Sequence, residues 1–118
     1  MRLDRNTRLA IALSSITFLI HSYAVFFAGF SWFRDELYYM ASTDHLAFGY
    51  VDHPPLSIWL LWLVKTVFGE SLVVVRLVPA IVSSVVVFLA SKTALRLGGG
   101  TISIILTAFS VTFMPVFM

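Results

Sequence analysis

The sequence predicts an all-α, polytopic transmembrane protein with about three spans and further helices lying along the membrane in an outer loop. Three observations predict it. The 118 residues are 59% hydrophobic and only 12% charged, with a mean hydropathy of +0.94, whereas a soluble domain is about 25% charged. The apolar residues fall into long runs whose ends carry Lys and Arg. The polar chemistry is gathered into one window, Arg34 to Pro55 (RDELYYMASTDHLAFGYVDHPP), which holds four of the six acidic residues.

The first run, Leu9 to Phe30, has no charge and follows Arg2, Arg5 and Arg8. At about 1.5 Å per residue it spans a hydrocarbon core of about 30 Å. A cleaved signal peptide is the competing reading, but its apolar region is roughly 7–15 residues and ends in an A-x-A-like site. Ala28-Gly29-Phe30 is not such a site, so the run is an uncleaved span (9–30). The arginines place the N-terminus in the cytoplasm. His21 lies within the span, and a histidine bonded to a neighbouring helix is the plain expectation there.

Residues 31–71 then form a loop on the outer face. Asp35 to Phe48 lacks Gly and Pro and predicts a short helix ended by Gly49. Asp35, Tyr39 and Ser42 share one face of it, and Glu36 points about 100° away. Pro54-Pro55 opens the next helix, since proline is tolerated in a first turn. Residues 56–68 are apolar up to Lys65, and Gly69-Glu70 closes them. This is short of the ~20 residues a span requires, and Trp59 and Trp62 suit the headgroup level. The segment is therefore interfacial.

Residues 72–95 form the second span. Arg76 near its outer end can snorkel, and Pro79 can kink it. Lys92 and Arg96 close it. With 56–68 interfacial they fall on the cytoplasmic side, as the positive-inside rule wants; with 56–68 as a span they would fall outside. Gly98-Gly99-Gly100 makes a tight turn. No Lys-Ser/Thr follows it, so it is not a P-loop. Thr101 begins a third span, 101–118, which stops in apolar sequence, as in the N-terminal portion of a longer protein.

Several classes are excluded. Without cysteine there is neither a disulfide framework nor a thiolate metal site. The net charge of +2 comes from few groups, and no basic run interleaved with aromatics supports nucleic-acid binding. For the outer window three readings stand. Asp35-Glu36 can supply a general base for group transfer at the membrane face. Asp35, Glu36, Asp44, His45, Asp52 and His53 are ligand types that divalent ions accept, although no H-E-x-x-H-like spacing occurs. The window can also be a solvated connector anchored by Trp32 and its tyrosines.

R-D-E-L-Y-Y, then H-L-A-F-G-Y-V-D-H-P-P-L, then V-R-L-V-P-A resembles the start of polytopic glycosyltransferases of the GT-C fold. The similarity is to the dolichyl-phosphate-mannose protein mannosyltransferases (glycosyltransferase family 39) and their bacterial relatives, which include the aminoarabinose transferases of lipid A. The resemblance implies transfer of a sugar from a polyprenyl-phosphate donor to a protein, lipid or polysaccharide acceptor at the outer face of the inner (plasma) membrane. It implies Asp35 as catalytic base with Glu36 as its partner. Arg34 and Arg76 are candidates for the donor phosphate, and Tyr39, Asp52 and His53 for lining the site. The cofactor is open, with a divalent metal as a candidate only. This stretch alone, lacking later spans, is expected to be inactive. The alternative is a small transport or solute-binding membrane protein, although the spans carry almost no charge at mid-depth, where transporters place binding groups.

Overall fold

In a computed structural model, residues 4–27, 29 and 31–114 are described. Among these residues five helices follow in order: α1 (Arg5–Phe27), α2 (Arg34–Ser42), α3 (Pro55–Phe68), α4 (Leu72–Arg96) and α5 (Thr101–Thr112). There is no strand among the described residues. Among the described residues, α1 and α4 are the two helices long and apolar enough to cross a membrane. The chain divides into two compact units, one of residues 1–24 and 79–118 and the other of residues 25–78.

In the first unit α1 starts ahead of the apolar run. Asp4 accepts the Thr7 N–H at 3.4 Å, which serves one of the orphan donors of a helix start. The predicted span 9–30 outlasts its helix. Phe27 is the last described helical residue, and Gly29 has φ +68, the left-handed conformation that stops helices. The ends of the predicted spans that fall on Ala28, Phe30 and Pro115–Met118 lie outside the described residues.

The buried described residues of this unit are small: Thr7, Ala10, Thr17, Ala80, Ser83, Val87, Ser91, Ala108 and Thr112, with Ile104 the largest. Small side chains let helices approach closely where lipid supplies no hydrophobic drive between them. Thr17 and Thr112 meet at 2.7 Å. Each also lies within reach of a carbonyl one turn back, Leu13 at 3.0 Å and Ala108 at 2.7 Å. Two hydroxyl protons cannot serve three contacts. One hydroxyl therefore donates to the other, which donates to its own carbonyl. A groove of about 520 Å³ is lined by Ile11, Ser14, Phe18, Ser84 and Phe88. The hydroxyls of Ser14 and Ser84 donate to Ala10 and Ile81 carbonyls, so the groove is an apolar lipid-type surface. His21 Nε2 is buried with no hydrogen-bond partner among the described residues, so the expected bond to a neighbouring helix is not made there.

The turn from α4 to α5 is tight. Gly98 has φ +89. A Cβ on Gly99 would lie 2.7 Å from the Ala94 carbonyl oxygen and 2.8 Å from Ser103 Cβ, while one on Gly100 would meet nothing. Of the predicted third span, α5 covers Thr101–Thr112, and the described residues Phe113 and Met114 are not helical. The residue before a proline is pushed out of the helical region, and Met114 precedes Pro115.

In the second unit α3 runs close to its predicted bounds. Pro55 stands in its first turn, and Gly69, at φ +80, donates to the Lys65 carbonyl at 2.8 Å. At 14 residues it covers roughly 21 Å, short of a span. Its inner face presents Ile58 and Leu61, both buried, and it packs against α2. The predicted helix 35–48 is corrected to Arg34–Ser42. Asp44 and His45 N–H groups fold back onto Ala41 and Ser42 carbonyls, both at 3.2 Å. Lys65 holds Thr43 Oγ1 at 3.2 Å and Asp44 Oδ1 at 2.8 Å. These bonds draw the chain off the helix axis, and Gly49 plays no part in ending α2.

The Gly99 contact gives a direct test. Gly99→Ala is expected to lower stability by about 1–3 kcal/mol through overpacking against backbone, whereas Gly100→Ala, which meets nothing, carries only the smaller cost of a poorer N-cap on α5. Thermal unfolding in detergent micelles, followed by circular dichroism, compares them; equal melting temperatures would refute the close approach.

Candidate active site

All seven residues picked from the sequence, Arg34, Asp35, Glu36, Tyr39, Asp52, His53 and Arg76, lie in the second unit. Two pairs among them touch. Glu36 meets Arg76, and Tyr39 meets His53. Arg34, Asp35 and Asp52 are exposed and carry no side-chain partner among the described residues.

The Glu36–Arg76 pair is the centre of the unit. Arg76 Nε donates to Glu36 Oε1 at 2.6 Å and its Nη2 to Oε2 at 3.0 Å. This two-point fork matches a planar guanidinium to a carboxylate. The same Nη2 donates to the Ser31 carbonyl at 2.8 Å. The guanidinium also stands 5.3 Å from the Phe33 ring centre, within cation–π range. The Phe33 N–H donates to Glu36 Oε2 at 2.9 Å. That is the return half of a capping box; Phe33 has no side-chain oxygen for the other half. Burial pushes the Glu36 carboxyl up, but the Arg76 hydrogen bonds, the Phe33 N–H and the Arg76 charge outweigh it and hold the pKa below the ordinary 4.5. Sequence reasoning placed Arg76 as a snorkelling or phosphate-binding cation. Its bond to Glu36, forty positions earlier, leaves no local signal.

Tyr39 packs on His53 with ring centres 4.2 Å apart, and its hydroxyl lies 2.9 Å from His53 Nδ1. Tyr38 meets the same imidazole at 5.3 Å. The next group was missed in the sequence. Lys65 bridges Asp44 and Glu70, each at 2.8 Å. The hydrogen bonds to Asp44 first, then to Glu70, raise the Lys65 pKa, and Asp44 is lowered chiefly by its bond to Lys65. Tyr50 closes the loop, donating to the His45 carbonyl at 3.0 Å and accepting the Ala47 N–H at 2.9 Å. Trp59 Nε1 donates to the Ala47 carbonyl at 3.1 Å. Among the described residues no three His, Asp or Glu side chains converge to hold a metal ion.

The geometry therefore sorts the acidic pair. Glu36 is committed to structure, and Asp35, next to it on α2, faces solvent. A family model described as dolichyl-phosphate-mannose-protein mannosyltransferase matches residues 52–118. The chain belongs to this family. The mannosyltransferase match takes in Asp52, His53 and Arg76 and begins after α2. It makes the chain part of a GT-C type glycosyltransferase family of membrane proteins. Searches of curated proteins and of solved structures each gave no match.

The ion pair carries a pH prediction. Because the Glu36 pKa is lowered on folding, its contribution is present above the ordinary 4.5 and is lost as pH falls through the lower native value. Hydrogen exchange over 34–42 is expected to accelerate below that value in wild type. Glu36→Gln should exchange faster at neutral pH, at a cost of roughly 1–2 kcal/mol, and lose that part of the acid response. An unchanged acid response in the variant would show that other groups hold α2.

Proposed function

We propose that the chain forms the N-terminal part of a membrane glycosyltransferase that moves a sugar from a polyprenyl-phosphate-linked donor to an acceptor hydroxyl, with Asp35 as the general base. The observation that carries this reading is the division of labour in the acidic pair. Glu36 accepts from Arg76 at two points and from Phe33, whereas Asp35 is exposed and carries no side-chain bond among the described residues.

In the proposed step the Asp35 carboxylate takes the proton of the acceptor hydroxyl. The hydroxyl oxygen attacks the anomeric carbon. The bond from that carbon to the phosphate oxygen breaks, and the electron pair leaves with the polyprenyl phosphate. Charge developing on that oxygen calls for a cation. Arg34 precedes Asp35 on α2 and is exposed, so it is the residue we assign to the phosphate. Arg76 acts through Glu36, holding α2 in place. Tyr39 and His53, locked together, and Asp52 beside them form the wall on which the donor or acceptor rests.

The membrane arrangement belongs to the same proposal. Residues 9–30 and 72–95 cross the inner membrane, residues 56–68 lie along it, and a further span begins at Thr101. The N-terminus is cytoplasmic and residues 31–71 face outward. A lipid-linked donor keeps its phosphate at headgroup depth while a polar acceptor arrives from water, so the base has to sit at that boundary. The acceptor is a protein, a lipid or a polysaccharide.

In the intact enzyme Asp35→Asn is expected to cut sugar transfer from a polyprenyl-phosphate donor by about 100-fold or more, the scale of general-base catalysis, with helix content unchanged. Wild-type transfer by that variant would remove Asp35 from the role. A cysteine introduced as Ser42→Cys is expected to react with an impermeant thiol reagent from outside intact cells. Reaction only after the cytoplasmic face is opened would invert the topology.

A further inference from the structure

The charges divide unequally between the two units. Residues 25–78 hold five of the six acids, while residues 1–24 and 79–118 hold five cations and a single acid, Asp4. Four of those cations, Arg5, Arg8, Lys92 and Arg96, are brought to one end of the first unit. Lys92 Nζ donates to Thr7 Oγ1 at 2.8 Å, which ties the last turns of α4 to the first turn of α1. Arg5 Nη2 reaches Thr101 Oγ1 at 3.5 Å, and Thr101 donates to Asn6 Oδ1 at 3.3 Å, which adds the start of α5. Arg8 lies three residues from Arg5 and Arg96 four from Lys92, so each shares a helix face with its neighbour.

Two features of this end call for an outside anion. Arg5 and Arg8 stand in the first turn of α1, which contains no acid, although the helix dipole disfavours cations there. Asp4, the one acid at this end, accepts from Thr7, the main cause of its lowered pKa, and also feels the Lys92 charge; among the described residues no acid pairs with Arg5, Arg8 or Arg96. Arg8 and Arg96 are exposed and carry no side-chain partner among the described residues. Leu97, directly after Arg96, is 83% exposed. A surface of unpaired arginines edged by apolar side chains is complementary to a phosphate headgroup with acyl chains beneath it.

We infer that this end of the first unit is a docking surface for anionic phospholipid headgroups, with Arg5, Arg8 and Arg96 as the phosphate-binding cations and Lys92 as the tie that sets their spacing. The assignment is independent of Asp35 and of sugar transfer. Lipid phosphate offsets both the mutual repulsion of the cations and the unfavourable dipole at α1. Each basic residue near an anionic surface strengthens binding severalfold.

The purified full chain in neutral detergent tests this by native mass spectrometry with short-chain phosphatidylglycerol and phosphatidylcholine. Wild type is expected to retain phosphatidylglycerol about tenfold better, and the double variant Arg8→Gln/Arg96→Gln to lose that preference. Circular dichroism checks that the variant keeps its helices. Should it not, wild type alone decides. Raising salt from about 0.05 to about 0.5 M shortens the screening length severalfold and has to erase the preference. Equal retention of the two lipids by wild type, a preference that survives in the folded variant or in high salt, or glycerol phosphate binding as tightly as the lipid would each overturn the inference.

Discussion

The Arg76–Glu36 fork is the interaction on which the second unit depends. It joins the start of α2 to the first turns of α4 across forty residues, and both side chains are largely withdrawn from water, 14% and 19% exposed. Withdrawing two opposite charges together is tolerable only when the hydrogen bonds are nearly all made. Here the carboxylate accepts from Arg76 through both oxygens and from the Phe33 N–H, and the guanidinium serves the Ser31 carbonyl as well. The pair thus caps α2, fixes its position beside α4, and decides which of two adjacent acids keeps a solvent-facing carboxylate.

The loop between α2 and α3 has no regular structure, so side chains must hold what backbone ladders do not. Lys65 grips its start through Thr43 and Asp44. Tyr50 and Trp59 tie down Ala47 in its middle. His53, at its end, packs at a tilt against Tyr39 and Tyr38. Each contact is modest, but they are distributed along the loop and share its ordering cost. A window rich in Tyr, His and Asp is therefore accounted for in large part by loop closure. Composition alone could not separate that structural demand from chemistry.

The legible parts of the sequence were those set by local or one-dimensional rules. Length and hydropathy marked α1 and α4, and Pro55 and Gly69 bounded α3. The glycine run marked the α4–α5 turn, although the need for glycine at Gly99 comes from Ala94 and Ser103. The motifs from R-D-E to V-R-L pointed to the family whose model matches residues 52–118. What stayed hidden was tertiary. Nothing near Ser42 shows that α2 stops there, because the cation that draws Thr43 and Asp44 aside stands more than twenty residues later. Arg76 looked like an interface anchor because its partner lies forty residues earlier. His21 was assigned a helix neighbour that its Nε2 does not find among the described residues.

The same reasoning gives the two adjacent acids separate tasks under the proposal that Asp35 is the base. Consecutive helical residues point about 100° apart, so a single pair can look inward and outward at once. The inward acid must be charged and bonded to hold the helix start, which leaves its lone pairs unavailable to a substrate proton. The outward acid gains a fixed position from a backbone that its neighbour has anchored, while spending none of its own acceptor sites. Under the proposal that Asp35 is the base, replacing Glu36 would disturb transfer through position and replacing Asp35 through chemistry, with the ion pair supplying rigidity and the exposed carboxylate supplying basicity.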